Sequence, residues 1–122
     1  MAQDMTSDKM DKMKHAKVRV AVIRADWCPA CQKLEPTMIE LMKQYKDRIN
    51  FVVLDVTDDA KIARSAATAR KLGLTEFFDS NQTKTSMVAV FGPKNKLYFK
   101  TSNNFERAAY VKAFDEAIAK AG

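Results

Sequence analysis

Two cysteines, Cys28 and Cys31, stand in the run Trp27-Cys28-Pro29-Ala30-Cys31, and the chain has no others. Their flanks place them at a strand-to-helix turn. Val18, Val20, Val22 and Ile23 form an apolar, β-branched run, the pattern of a strand buried on both faces. Leu34, Met38, Ile39, Leu41, Met42 and Tyr45 follow at helical spacing. Pro29 suits the first helical position, where a missing N–H costs nothing. Cys28 is therefore expected where the free N–H groups and the positive end of the helix dipole converge. Both stabilise a thiolate, the nucleophile of thiol–disulfide exchange. Cys31, one turn further in, is expected to be more buried and less acidic, within reach of a mixed disulfide formed at Cys28. The expected roles are Cys28 attacking and Cys31 resolving.

Two other uses of a cysteine pair fit less well. A structural disulfide closing so short a loop constrains the unfolded chain little. A zinc site needs more ligands, but there is no second cysteine pair, and the lone histidine, His15, has nothing around it to suggest a ligand or base. Redox chemistry ranks first because the pair follows a strand and opens a helix. No metal site and no cofactor beyond the Cys28–Cys31 dithiol is expected.

The elements that position this pair are legible in order. Residues Met1 to Lys17 are a polar lead, in which Met10 and Met13 have the spacing of a short amphipathic helix. The domain proper is read as 18–122. Val18 to Arg24 is the first strand, and the helix after the cysteines runs to about Tyr45, with Pro36 inside it. Ile49 to Val56 reads as a central strand, parallel to the first through a right-handed crossover. Thr57 or Asp58 caps an alanine-rich helix that Gly73 ends. Met87 to Phe91 and Leu97 to Thr101 form a hairpin across Gly92-Pro93-Lys94-Asn95. Asn103, with Glu106 three residues on, is expected to cap a last helix whose apolar face is Tyr110, Val111, Phe114 and Ile118.

The chain resembles the thioredoxin superfamily. The resemblance is carried by Trp27-Cys28-Pro29-Ala30-Cys31, by Pro36, and by the segments INFVVLDV, MVAVFGP and KLYFK. It implies an α/β fold with a central mixed β-sheet flanked by helices on both faces. It also implies a dithiol–disulfide oxidoreductase acting on protein thiols and disulfides together with a redox partner. Under it, Trp27, Pro29, Ala30, Thr85 and Ser86 are the expected substrate-binding residues around Cys28 and Cys31.

Three departures from the family pattern stand out. Val22 occupies the position of a buried acid that assists proton transfer at the deeper cysteine, so Cys31 needs another route, such as water. Thr75 to Thr85 (TEFFDSNQTKT) is an insertion of about ten residues, expected to be a partner-recognition loop with one of Phe77 and Phe78 anchoring it. Ser86, after Thr85, stands where the family has a cis-proline, and the Thr85–Ser86 bond is expected to be trans. That proline also shields the dithiol from metals. Its loss admits an alternative: a dimer sharing an iron–sulfur cluster through Cys28 and Cys31. A redox-inactive binding module is the third reading.

Composition excludes other classes. With 122 residues, 47% hydrophobic and 30% charged, the chain fits one globular domain. No apolar run is long enough to span a membrane. The net charge of +6 is spread over all segments without a basic, aromatic-interleaved tract, so nucleic acid is not an expected partner. A basic surface favours acidic protein partners. The expected state is a monomer. The expected compartment is the cytoplasm, with a periplasmic or exported location as the alternative if a leader is removed before Ala2.

Overall fold

The computed structural model describes residues 17–121. Its elements are β1 (Val18–Arg24), α1 (Pro29–Tyr45), β2 (Ile49–Asp55), α2 (Asp59–Lys71), α3 (Thr75–Asn81), β3 (Met87–Phe91), a 3-10 turn (Pro93–Asn95), β4 (Leu97–Ser102) and α4 (Arg107–Ala121). The expectations for the polar lead, including Met10, Met13 and His15, lie outside the described residues.

The strands form one sheet in the order β2-β1-β3-β4. β1 and β2 run parallel, with Val22 opposite Val53 and Arg24 opposite Asp55. β3 is antiparallel to both β1 and β4, so the sheet is mixed. Alternation along β1 sends its side chains to two cores. Val18, Val20 and Val22 pack with Leu34, Leu41 and Tyr45 of α1 and with Tyr110 and Phe114 of α4. Ala21 and Ile23 pack on the other face with Ala69 of α2, Phe78 of α3 and Met87 of β3. The Tyr45 and Phe114 rings meet edge to face at 5.3 Å, a favoured aromatic geometry. Each helix thus buries one stripe against the sheet, and the sheet is covered on both faces.

The capping chemistry follows the sequence in part. Asp58 caps α2, its Oδ1 accepting the Lys61 N–H at 2.8 Å, and Gly73 ends the helix with φ +74°. At α4 the side chain that accepts a backbone N–H is Asn104, not Asn103: its Oδ1 takes the Glu106 N–H at 3.0 Å. Asn103 instead adopts φ +53° just after β4, its N–H donating to the Ser86 carbonyl at 3.2 Å.

Two expectations need correction. β2 is not a central strand among the described residues; it lies at one edge of the sheet. Its apolar run misled because Val53 is 47% exposed, on the part of the strand that the helices leave open. The stretch Thr75–Thr85 is not an irregular loop either, although one of its phenylalanines anchors it as expected. Most of it is helix α3, and Phe78 is buried to 1% exposure in the second core. Phe77 is half-buried, its ring edge-on to Phe91 at 5.2 Å.

Candidate active site

β1 delivers the chain to the site, and a tight turn closes it. The Cys28 N–H donates to the Ala25 carbonyl at 3.2 Å, which brings Cys28 to the start of α1. Cys28 is the N-cap of α1, with extended backbone (φ −92°, ψ 110°) and Pro29 at the first helical position. Its Sγ accepts the Cys31 N–H at 3.3 Å, the role that a serine or aspartate oxygen usually fills. The first turn of α1 holds no acidic residue, so nothing in that turn offsets its positive end.

Both cysteines are free thiols, and each is 5% exposed. Equal surface exposure conceals a difference in depth: more of the protein surrounds the Cys31 thiol than the Cys28 thiol, as expected. Their acidities do differ as expected. Burial pushes the Cys28 thiol up, but hydrogen bonds from the Cys31 thiol, the Thr85 hydroxyl and the N–H groups of Cys31 and Ala30 outweigh it and hold the thiol below its ordinary value. At Cys31, burial raises the thiol, and so do its hydrogen bond to Cys28 and the negative charge there. Hydrogen bonds from the Ala25 and Ser86 N–H groups oppose this without reversing it. The arrangement makes Cys28 the more acidic thiol of the pair and Cys31 the one that holds its proton more tightly.

The residue after Thr85 shapes the buried floor of the site. The Thr85–Ser86 bond is trans, as expected, since the described residues contain no cis peptide. Ser86 takes φ +64°, a left-handed conformation unusual for a residue with a Cβ. Its N–H donates to the Ile23 carbonyl at 2.8 Å and also faces the Cys31 sulfur. A proline here would have no N–H for either purpose. The Ser86 side chain is 1% exposed, and its Oγ has no hydrogen-bond partner among the described residues.

Trp27 is 60% exposed, and its indole N–H donates to the Thr57 carbonyl at 3.0 Å. Pro29 is exposed and Ala30 half-buried. The charges near the motif cancel locally. Asp26 pairs with Arg24 at 2.8 Å and with Lys61 at 3.6 Å, while the Lys33 ammonium lies 4.6 Å from the centre of the Phe105 ring. Neither Asp26 nor these cations sets the Cys28 acidity; hydrogen bonds do.

Sequence reasoning missed the clamp that holds the tryptophan segment. Asp55 accepts from Arg24 at 2.6 Å and from the N–H and hydroxyl of Thr57, whose hydroxyl oxygen in turn accepts the Asp26 N–H at 2.9 Å. Burial pushes the Asp55 carboxyl up, but the Thr57 and Arg24 hydrogen bonds dominate and hold it below its usual range. The available signal was that Arg24 and Asp55 each end a strand of a parallel pair, with opposite charge. No group of three or more histidine, cysteine or acidic side chains is arranged to hold a metal among the described residues.

A Cys-x-x-Cys dithiol at the N-terminus of a helix, on a mixed sheet covered on both faces, defines a thioredoxin-like protein. The family model described as Thioredoxin matches residues 4–98, and the chain belongs to that family. Membership supports a thiol–disulfide oxidoreductase in general. Among curated relatives, the chain is 35% identical over 57 residues to the thioredoxin-like protein HCF164, chloroplastic, of Arabidopsis thaliana, covering 44% of this chain and 22% of that one. It is 34% identical over 68 residues to the thiol:disulfide interchange protein TxlA homolog of Synechocystis, covering 56% and 37%. The chain thus matches well under half the length of these relatives. Among solved structures, a thioredoxin-like protein in the oxidised form superimposes with a TM-score of 0.62 at 17% identity, over 87% of this chain and 80% of that one. The Deadhead thioredoxin of Drosophila gives 0.59 at 12% identity, over 93% and 92%. These two likenesses concern the fold.

Proposed function

We propose that this chain is a thiol–disulfide oxidoreductase acting on protein disulfides and thiols. The Cys28 thiolate attacks one sulfur of a substrate disulfide, forming a mixed disulfide and releasing the other substrate sulfur as a thiolate. Cys31 then gives up its proton, and its sulfur attacks Cys28 Sγ. The Cys28–Cys31 disulfide forms and the second substrate thiolate leaves; two electrons pass from dithiol to substrate, and no further cofactor takes part. The reverse sequence oxidises a substrate dithiol.

The observation that carries this reading is Cys28 Sγ at the N-cap of α1, accepting the Cys31 N–H at 3.3 Å. A sulfur so placed is held as a thiolate with its resolving partner one turn away. Exposed Trp27 and Pro29 offer surface beside it, flanked by half-buried Ala30 and Thr85; Ser86, 1% exposed, lies beneath this surface and supports it rather than meeting substrate through its side chain. The Synechocystis relative, a thiol:disulfide interchange protein by name, supports the same reaction class. Thr85 bonded to Cys28, and 5% exposure at both sulfurs, weigh against a shared iron–sulfur cluster. Localisation is proposed on two supports. The cytoplasm is the first proposal, and the chloroplastic location that two relatives carry in their names is the alternative.

The test is catalytic reduction of insulin disulfides by the purified chain with a dithiol reductant, run alongside size-exclusion chromatography for the expected monomer. Cys28→Ser is expected to abolish turnover, and Cys31→Ser to accumulate a mixed disulfide at Cys28. The reverse pattern would exchange the roles, and an inactive wild type would sink the reading.

A further inference from the structure

The resolving cysteine has a proton to lose and no carboxylate beside it, since Val22 fills the place where one would stand. A cavity of about 400 Å³ meets this need. It lies between α1 and the open part of β2, with Cys31 and Ser86 at its buried end and Val22 and Val53 in its walls. Its charged lining comes from β1 and the turn after it (Arg24 and Asp26), from β2 (Asp55) and from α1 (Glu35). Arg24 binds both aspartates, at 2.8 and 2.6 Å, so those two carboxylates are committed. Glu35 carries no ion pair or hydrogen bond among the described residues. It sits four residues after Cys31, on the same face of α1.

The Ser86 hydroxyl is a second, independent pointer. Ser86 lines this cavity, and its hydroxyl is buried with no partner among the described residues. A buried hydroxyl without a protein partner calls for a water, and the adjoining cavity is large enough to supply one.

We propose that the Cys31 proton leaves through this cavity, by water held at the Ser86 hydroxyl, and is accepted at its mouth by Glu35. The route rests on the function proposed above and specifies its second step. Cys31 Sγ–H gives its proton to cavity water, and the water passes one to the Glu35 carboxylate. The sulfur attacks Cys28 Sγ, the bond from Cys28 to substrate breaks, and the departing thiolate takes a proton from solvent. Glu35 acts through water and is a positioning residue for the proton. The raised thiol at Cys31 and the lowered one at Cys28 agree with a proton that stays on Cys31 until the mixed disulfide forms.

The experiment is stopped-flow reaction of the reduced chain with excess 5,5′-dithiobis(2-nitrobenzoate) between pH 5 and 9. The first chromophore release reports Cys28 attack, and the second reports displacement by Cys31. Glu35→Gln is expected to slow the second phase about tenfold near neutral pH, less than the roughly hundredfold or more of a base in direct contact because Glu35 acts through water, and to leave the first phase unchanged. Val53→Phe, which narrows the cavity from its exposed wall, slows the second phase in the same way. Val22→Asp added to Glu35→Gln restores it by supplying a carboxylate directly. A second phase unchanged across the pH range in Glu35→Gln would overturn the route while leaving the proposed function standing. Absence of the first phase in the wild type would overturn that function, and the route with it.

Discussion

A hydroxyl that donates to a thiolate loses its partner when the sulfur is protonated, so it lowers the thiol pKa only as long as it stays in place. Thr85 is such a donor at Cys28. Thr85→Val keeps the shape and removes the donor, so the pH midpoint of Cys28 alkylation by iodoacetamide is expected to rise. The sign follows from which form is favoured: the wild type keeps its thiolate as pH falls below the ordinary thiol range, and the variant loses reactivity at a higher pH. An unchanged midpoint would remove Thr85 from the site. Ser86 carries a different kind of expectation. Holding a residue with a Cβ at φ +64° costs roughly 1–2 kcal/mol, so Ser86→Gly is expected to raise stability by up to about 1 kcal/mol in urea unfolding. Ser86→Pro fixes φ near −65° and deletes the N–H that binds Ile23, and should cost about 3 kcal/mol or more. It therefore tests the backbone at this position rather than metal access. Cys28 and Cys31 were legible in the sequence because their chemistry depends on spacing and on the helix start, both local. The left-handed Ser86 was not, because no glycine or asparagine marks the position and its conformation is imposed by packing between Ile23 and Asn103.

α3 shows where local pattern fails at the scale of an element. Asp79, Ser80, Gln82 and Thr83 make the stretch read as polar loop, and no side chain caps its start. What holds the helix is tertiary: Phe78 enters the core with Leu74 and Met87, and the Asn81 amide returns to the Phe77 carbonyl at 2.8 Å. Seven residues are too few for a helix to persist by propensity alone. Phe78→Ala is accordingly expected to destabilise the protein by about 3–5 kcal/mol, read from the urea midpoint, and half-buried Phe77→Ala by less. Deleting Thr75–Thr85 should unfold the domain rather than redirect its partners, reversing what an inserted recognition loop would do. By contrast β1, α1 and α2 were legible to within a residue or so. Each carries its own period and its own stop: Pro29 and Cys28 at the start of α1, Asp58 and Gly73 around α2.

At the scale of the whole molecule, the parallel β1–β2 pair followed from the strand–helix–strand crossover and the β3–β4 pair from its short turn, while their union in one mixed sheet was what the resemblance to the thioredoxin superfamily implied. The edge position of β2 was not, because a run such as Phe51-Val52-Val53-Leu54 looks alike whether one side or both sides of its strand are paired. Charge is the other global property, and it has a kinetic consequence. The chain carries a net charge of +6, and its paired residues Arg24, Asp26, Asp55 and Lys61 largely cancel beside the dithiol. The excess is thus a property of the surface at large, acting over distances that salt screens. It steers encounter without altering the thiol chemistry at contact. Reaction with an acidic protein disulfide should therefore slow several-fold between about 0.05 and 0.5 M salt, as the Debye length shrinks well below 10 Å. Reaction with a small neutral disulfide should change little over the same range. Equal salt dependence for both substrates would place the controlling charge at the dithiol itself, against the local pairing of Arg24 with Asp26 and Asp55.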